Sequence, residues 1–350
     1  MAGCAELRKA TGLAGVSEPS VTSTKFAPWI AAQTQSLLAQ RGHAWLLAGP
    51  SGLGQYELAL ALVLAWLCER PTAQGACGTC GSCHAIEVRA HADLCVLMPE
   101  TVMLTLNWPL SEKAQDEIDS KKRKPSKEIR VDAMRDTVEF AQRTSARGRG
   151  KAVLVFPAER MNVYTANALL KTLEEPAGDV KFVLASDAAH QLLPTIRSRC
   201  LDHTMTWPDQ STALAWLQGQ GVPIDQATVM LRAAGGRPQD ALQFAPIADL
   251  WPRLPRAVQA GDVSVFKDWT PAQTVDALHK LCHDMMAVHT GARPRFFEPD
   301  DLPKAGSWQS LSHWAKNLSD TMRTVEHPFN PGLMVEALVS QAQLALHSKA

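Results

Sequence analysis

Charge of one sign is what this 350-residue sequence most plainly lacks, since 35 Lys and Arg stand against 35 Asp and Glu for a formal net charge of zero. No overall basic field then draws the chain to nucleic acid or anionic lipid, and any such contact has to be local or shared with partners. Long hydrophobic runs are missing too. The longest, Leu58–Cys68, is too short to span a bilayer, and the first 25 residues carry no apolar core of the signal-peptide kind. The expected location is the cytoplasm. The length allows roughly two or three domains of about 100–200 residues each, and a hydrophobic content of 46% can fill more than one core.

A further absence is local. Gly49–Tyr56, GPSGLGQY, keeps the glycine spacing of a phosphate-binding loop, G-x-x-x-x-G-K-[ST], with Gly49 and Gly54 in place. In an intact loop the Lys reaches the β/γ-phosphates and the small hydroxyl holds Mg²⁺. Here those positions are Gln55 and Tyr56. A neutral amide does not replace an ammonium charge, and a phenol does not fit where a small hydroxyl meets the metal. The acidic pair of an active ATPase, expected directly after the third strand, is missing as well: Ala152–Phe156 runs into Pro157 and Ala158. Glu159 comes two places late, and a surface or capping role is expected for it.

The surroundings of the loop are those it requires. The apolar run His43–Ala48 suits a buried parallel strand, a short helix is expected before it from about Thr34, and Glu57–Cys68 reads as a helix apolar nearly all round. Phe26–Trp29 is an aromatic anchor, and residues 1–25 are expected to be a mobile leader. Helical spacing returns at Ile129–Arg143, with Val131, Met134, Val138 and Ala141 on one face, and at Thr165–Pro176, with Ala168, Leu169 and Leu173 inward. Lys181–Ser186 is a further buried strand, and Leu192–Cys200 a short helix and turn. With the strand-like DLCVLMP segment that holds Cys95, four strands alternate with helices. That pattern calls for a parallel sheet with helices on both faces.

Cysteine is where the sequence is rich. Of Cys4, Cys68, Cys77, Cys80, Cys83, Cys95, Cys200 and Cys282, half fall within sixteen residues, the last three of that group in ACGTCGSC. In a reducing compartment this clustering points to metal. Zn²⁺ takes four ligands in a tetrahedron, and thiolates two residues apart converge through turns that Gly78 and Gly81 permit. Four thiolates at Cys68, Cys77, Cys80 and Cys83 close the coordination sphere, so the expected site is structural. His84 and His91 compete with Cys68 as the fourth ligand. Residues Thr105–Glu128, running through SEKAQDEIDSKKRKPSKE with hardly an apolar residue, are expected to be a solvated excursion, whose basic part, Lys121–Lys127, is a candidate for phosphate contact.

ANALLKTLEEP, the following strand, SRC and the four-Cys insertion after the loop helix resemble the clamp-loader branch of the AAA+ family. The resemblance covers about Phe26–Trp207 well and the remainder by pattern. It implies a structural zinc on the four cysteines and places the SRC arginine at Arg199, with Arg197 as a nearby decoy. In the family that arginine reaches into the ATP site of a neighbouring motor subunit. Ser186 falls near the family's polar sensor. The arginine of the later GxxRDAL pattern falls on Gln239, with Arg237 displaced by two. The resemblance therefore implies an α/β AAA+ domain over 26–207 with a zinc module at 68–83, a helical lid over 208–248 and an all-α collar over 249–350. The implied partners are gamma/tau motor and delta subunits in a hetero-oligomeric ring of bacterial DNA polymerase III, and indirectly the sliding clamp and primed DNA. No intrinsic ATPase or polymerase site and no ATP binding are expected of the chain itself, which would be one subunit of a DNA-directed DNA polymerase complex.

Beyond Trp251 the patterns are helical, including Thr270-Pro271 as a helix start and Pro331–His347 as a final helix. Cys282, His283 and Asp284 are neighbours on a helix, point to different sides and are expected to be packing and surface residues. Apolar faces around Trp308, Trp314, Leu333 and Leu338 suit helix-to-helix assembly. Two other readings stay open: a motor subunit that binds or hydrolyses ATP with an unusual loop, and a zinc-containing DNA-binding module using Lys121–Lys127.

Overall fold

The computed structural model describes residues 26–303, 306–325, 327 and 330–348. The leader expected at 1–25, with Cys4, lies outside them. The chain divides after Thr206 into two compact units.

The first unit runs α1 (Pro28–Leu38), β1 (Ala44–Ala48), α2 (Gln55–Leu67), α3 (Gly81–Glu87), β2 (Leu94–Leu97), α4 (Glu100–Thr105), α5 (Glu112–Asp119), α6 (Val131–Gln142), β3 (Lys151–Val155), α7 (Val163–Glu174), β4 (Val180–Ser186), α8 (Pro194–Arg197) and β5 (Leu201–Thr204). All five strands are parallel, in the order β2-β3-β4-β1-β5. Successive side chains on a strand point to opposite faces. Leu46, Val153, Val155, Phe182 and Leu184 therefore share one core with Met134, Leu169 and Leu173 of α6 and α7. On the other face Trp45 meets Trp66 of α2, ring centroids 5.0 Å apart. Both faces being covered, β1, β3 and β4 read as continuous apolar runs.

Three features depart from the expectations. The first helix begins at Pro28, earlier than Thr34, with the proline in its first turn. Leu201–Thr204 adds a fifth strand at the sheet edge, paired only with β1. The charged stretch 105–128 is organised rather than a plain solvated loop. Ser111 caps α5 by accepting the Ala114 amide, and Trp108 is buried beneath the Arg89 guanidinium. Arg123 donates to Glu100 Oε1 at 2.7 Å and to Glu117 Oε2 at 2.7 Å, so one charge of the basic strip is already paired.

The Arg123 hydrogen bonds, aided by the Ser126 amide at 2.8 Å, hold the buried Glu100 carboxyl below its ordinary value. A carboxylate whose folded pKa is depressed contributes stability above its unfolded pKa and loses it as the pH falls through the folded one. Glu100→Gln is expected to be less stable than the parent by about 1–2 kcal/mol at neutral pH. The gap should close in strongly acid solution; urea denaturation at a series of pH values measures it.

The second unit is helical: α9 (Gln210–Gly219), α10 (Ile224–Ala233), α11 (Pro238–Ala241), α12 (Leu254–Ala260), α13 (Pro271–His289), α14 (Trp308–Thr324) and α15 (Pro331–His347). One apolar cluster gathers Ala213, Leu217, Ala227, Met230 and Ala241, and a larger one gathers Trp251, Leu254, Leu278, Leu281, Trp314 and Leu338, with Phe244 packed on both. Thr270 and Gln273 form a reciprocal capping box at the start of α13. Trp314 and Leu338 are core, whereas Trp308 and Leu333 are 46% and 65% exposed, a separation that the patterns alone do not make.

Asp284 corrects the packing-and-surface reading of its helix. Fully buried, it accepts the amides of Arg295 at 2.9 Å, Phe296 at 2.6 Å and Phe297 at 2.8 Å, and contacts His283 Nδ1 at 2.8 Å. Asp284→Ala leaves three amides without this acceptor, at about 1–3 kcal/mol for each one that stays buried. A loss of at least about 3 kcal/mol in denaturant unfolding is expected. Asp284→Asn, which keeps an acceptor oxygen, should recover part of it.

Candidate functional site

The glycine loop connects β1 to α2 at the C-terminal end of the sheet's strands. Gly52 and Gly54 take φ of 80° and 95°, in the left-handed region that L side chains rarely adopt, which lets the chain turn tightly into the helix. Gln55 is buried and folds back, its Nε2 donating to the carbonyls of Gly49 at 2.9 Å and Pro50 at 2.7 Å. The amide thus ties the loop to itself and carries no charge. Tyr56 is also buried, with its ring 5.4 Å from Phe156 and its hydroxyl accepting from Trp108 Nε1 at 2.8 Å. Burial pushes that phenol above its ordinary pKa.

Past β3, the Phe156–Pro157 peptide is cis and Glu159 lies in a short 3-10 turn. It does not take a plain surface role. Its Oε2 accepts from the buried Ser186 hydroxyl at 2.7 Å, and Ser186 O accepts the Gly49 amide at 3.3 Å. Sequence position alone does not show this link between Glu159, Ser186 and the start of the loop, because it depends on β1 and β4 lying side by side.

Arg199 sits between α8 and β5. Its Nε donates to Glu174 Oε1 at 2.6 Å, its Nη1 donates to the Thr195 carbonyl at 2.8 Å, and Nη2 also pairs with Glu174. Glu174 belongs to the TLEEP segment, so the two motifs meet in space. Arg197 is exposed and makes none of these contacts. In the second unit, Gln239 is on α11, and Arg237 lies 3.1 Å from Asp240.

The ligand atoms of Cys68, Cys77, Cys80 and Cys83 all lie within 4.8 Å of one another. Cys68 is fully buried at the end of α2, Cys80 caps α3 and Cys83 lies in its first turn. Sulfur separations are 3.9 Å for Cys68–Cys80, 3.5 Å for Cys80–Cys83 and 3.8 Å for Cys68–Cys83. A tetrahedron of thiolates about 2.3 Å from a central ion has edges of about 3.8 Å, so the cluster fits a metal ion. Burial holds the Cys68 thiol above its ordinary pKa, although the amides of Arg70 and Cys77 donate to its Sγ at 3.4 and 3.3 Å and work against that shift. Backbone hydrogen bonding from Thr79 draws Cys77 down to about 6, whereas burial pushes Cys83 up. Neither histidine joins the cluster: His84 is exposed on α3, and buried His91 accepts the Asp93 amide through Nδ1 at 3.1 Å. Cys95 packs at the edge of the sheet core and meets Thr137 Oγ1 at 3.2 Å.

A parallel five-stranded sheet with a glycine loop ahead of its second helix, followed by a helical second unit, defines an AAA+-like α/β protein. A DNA polymerase III gamma subunit-related protein of Thermotoga maritima shares the fold, with a TM-score of 0.50 at 16% identity, covering 91% of this chain and 100% of that one. The sequence narrows the class. Residues 30–207 match the family described as DNA polymerase III, delta subunit, and the chain belongs to that family. Its relatives include DNA polymerase III subunit delta' of Pseudomonas aeruginosa, 39% identical over 219 residues, or 61% of this chain and 60% of that one. The Escherichia coli subunit delta' is 32% identical over 250 residues, or 69% of this chain and 67% of that one. The matched stretch thus spans three fifths of the Pseudomonas relative and two thirds of the Escherichia one. Among the described residues no helix is long and apolar enough to cross a membrane.

Proposed function

We propose that this chain is a non-catalytic delta prime subunit of the bacterial DNA polymerase III clamp loader. In this reading it completes a ring with gamma/tau and delta subunits, helps load the sliding clamp onto primed DNA, and supplies Arg199 in trans to a neighbour's ATP site. The observation that carries the reading is the use made of Gln55 and Tyr56. Both side chains at the loop's lysine and hydroxyl positions are buried and engaged within the chain, while Arg199 stands part-exposed beyond the sheet. The four cysteines would hold a structural Zn²⁺, and 208–248 and 249–350 would act as lid and collar.

Two measurements test the core of this. The purified chain should show no ATP hydrolysis above background, and mixing it with gamma/tau and delta subunits should give a stable complex whose ATPase exceeds that of the parts. Hydrolysis by the chain alone that disappears on Gly54→Asp would instead make it a motor subunit.

A further inference from the structure

Within the second unit, a cleft of about 670 Å³ opens between α9, α10 and the 293–299 loop. Its volume lies within the range of about 300–1,000 Å³ typical of small-ligand sites. One wall is Trp207, 45% exposed although large and apolar. Gly236 (φ 86°) lies beside the indole, where an added Cβ would stand 3.7 Å from the ring. Arg232, Arg293 and Arg295 line the cleft with Trp207.

The 293–297 segment is not a loose loop, because the buried Asp284 fixes its backbone at three consecutive amides. Arg295 is held over the cleft by Nη2 donation to the Gly235 carbonyl at 2.8 Å, its guanidinium 5.7 Å from the Trp207 ring centre. Arg232 is matched by the cleft's carboxylate, Glu298, at 2.6 Å. Arg293 is exposed with no partner among the described residues. The cleft therefore presents an accessible indole and two guanidiniums not neutralised by Glu298, in a chain with no net charge.

We propose that this cleft binds a nucleobase joined to phosphate, the base stacking on Trp207 and the phosphate meeting Arg293 and Arg295. Stacking on an aromatic ring tolerates any base because each has a π-face, and guanidiniums bind phosphate oxygens in paired hydrogen bonds. An acidic peptide would satisfy the arginines but leave the indole unused. The ligand chemistry could come from a free nucleotide or from a single strand of nucleic acid, and the inference does not depend on any role of Arg199.

The test is fluorescence anisotropy of a labelled oligothymidylate with the full chain, with unlabelled thymidine monophosphate and polyglutamate as competitors. Trp207→Ala is expected to weaken binding about tenfold, the scale of one stacked base, and Trp207→Phe to restore most of it. Arg293→Glu should cause a loss of at least similar size. With one or two phosphates engaged, the slope of log affinity against log salt should lie between roughly −0.7 and −1.4. Complete displacement by thymidine monophosphate at concentrations near the oligonucleotide's own would identify a nucleotide site; a much weaker effect would identify a strand. Circular dichroism checks that each variant is folded. The proposal is overturned if neither probe binds, if polyglutamate displaces the strand as well as the mononucleotide does, or if Trp207→Ala binds like the parent. It is equally overturned if binding is lost in a Lys121→Glu/Lys122→Glu/Lys124→Glu variant and kept in the cleft variants.

Discussion

Arg199→Ala is expected to lower hydrolysis at the adjoining ATP site by on the order of 10³ when the chain is assembled with gamma/tau and delta subunits. On the proposed trans role, the guanidinium stabilises charge developing on the transferred phosphoryl group, an effect of about 10³–10⁵ where such residues act. The arginine must first leave Glu174. That pair is part-exposed, with side-chain exposures of 29% and 47%, so its contribution is about 0–1 kcal/mol. Against the roughly 4 kcal/mol that a thousandfold rate effect represents, releasing it is a minor cost. Arg197→Ala, which removes an exposed arginine two positions away, should leave the rate unchanged. The measurement is DNA- and clamp-stimulated ATPase in an assembly where only the adjoining site can hydrolyse, with complex formation checked separately. An Arg199→Ala assembly as fast as the parent would remove the trans role.

The second large effect should come from the cysteine cluster. One zinc per chain is expected by elemental analysis, and Cys80→Ser should abolish it. Cys80 is 4% exposed, caps α3, and has Cys68 and Cys83 sulfurs within 3.9 Å. The segment from the end of α2 to α3 has few apolar groups of its own, and its exposed stretch at 69–74 is otherwise tied down mainly by polar contacts such as those of Glu69 with Ser82 and Arg147. Structural zinc contributes about 10–16 kcal/mol of apparent binding energy in small peptides. If only a few kcal/mol of that reaches the whole domain, the thermal midpoint falls by about 10 °C on mutation or chelation. A parent chain with far less than one ion bound and a midpoint indifferent to chelator would end the zinc assignment.

The motifs that the sequence made legible are those whose chemistry is local. The β1–loop–α2 passage was readable because an apolar run, two spaced glycines and a second apolar run follow one another directly. The cysteines were readable because the spacing from Cys77 to Cys83 sets sulfur convergence within a single turn region. What escaped depends on neighbours distant in the chain. The β5 strand, LDHT, has an exposed edge and lacks the apolar run that marked the interior strands. Thr137 rather than Val138 is buried on α6, on the face of Met134 and Ala141, where its hydroxyl is satisfied by the Ala133 carbonyl and meets Cys95. The α5 helix hid in a charged stretch, although its Ser111 cap was a usable signal. Pro28 was another, as a first-turn proline of α1. Asp284 finds its three backbone amides, and Glu159 its serine, eleven or more residues away, and periodicity carries no information about such contacts.

The Gln55 and Tyr56 contacts also decide which substitutions the loop tolerates. Placing Lys at position 55 would remove two hydrogen bonds that close the turn, and placing Ser at position 56 would leave the Trp108 indole N–H without its acceptor. The second change would also open a hole against Phe156. The orphaned indole N–H is buried and costs about 1–3 kcal/mol, and the cavity adds to it. Serine at position 56 alone therefore destabilises the domain, whatever it does for phosphate binding. A smaller side chain at position 56 is thus tolerated only together with compensating changes around Trp108 and Phe156, so this part of the loop is fixed by its packing partners rather than by the loop alone.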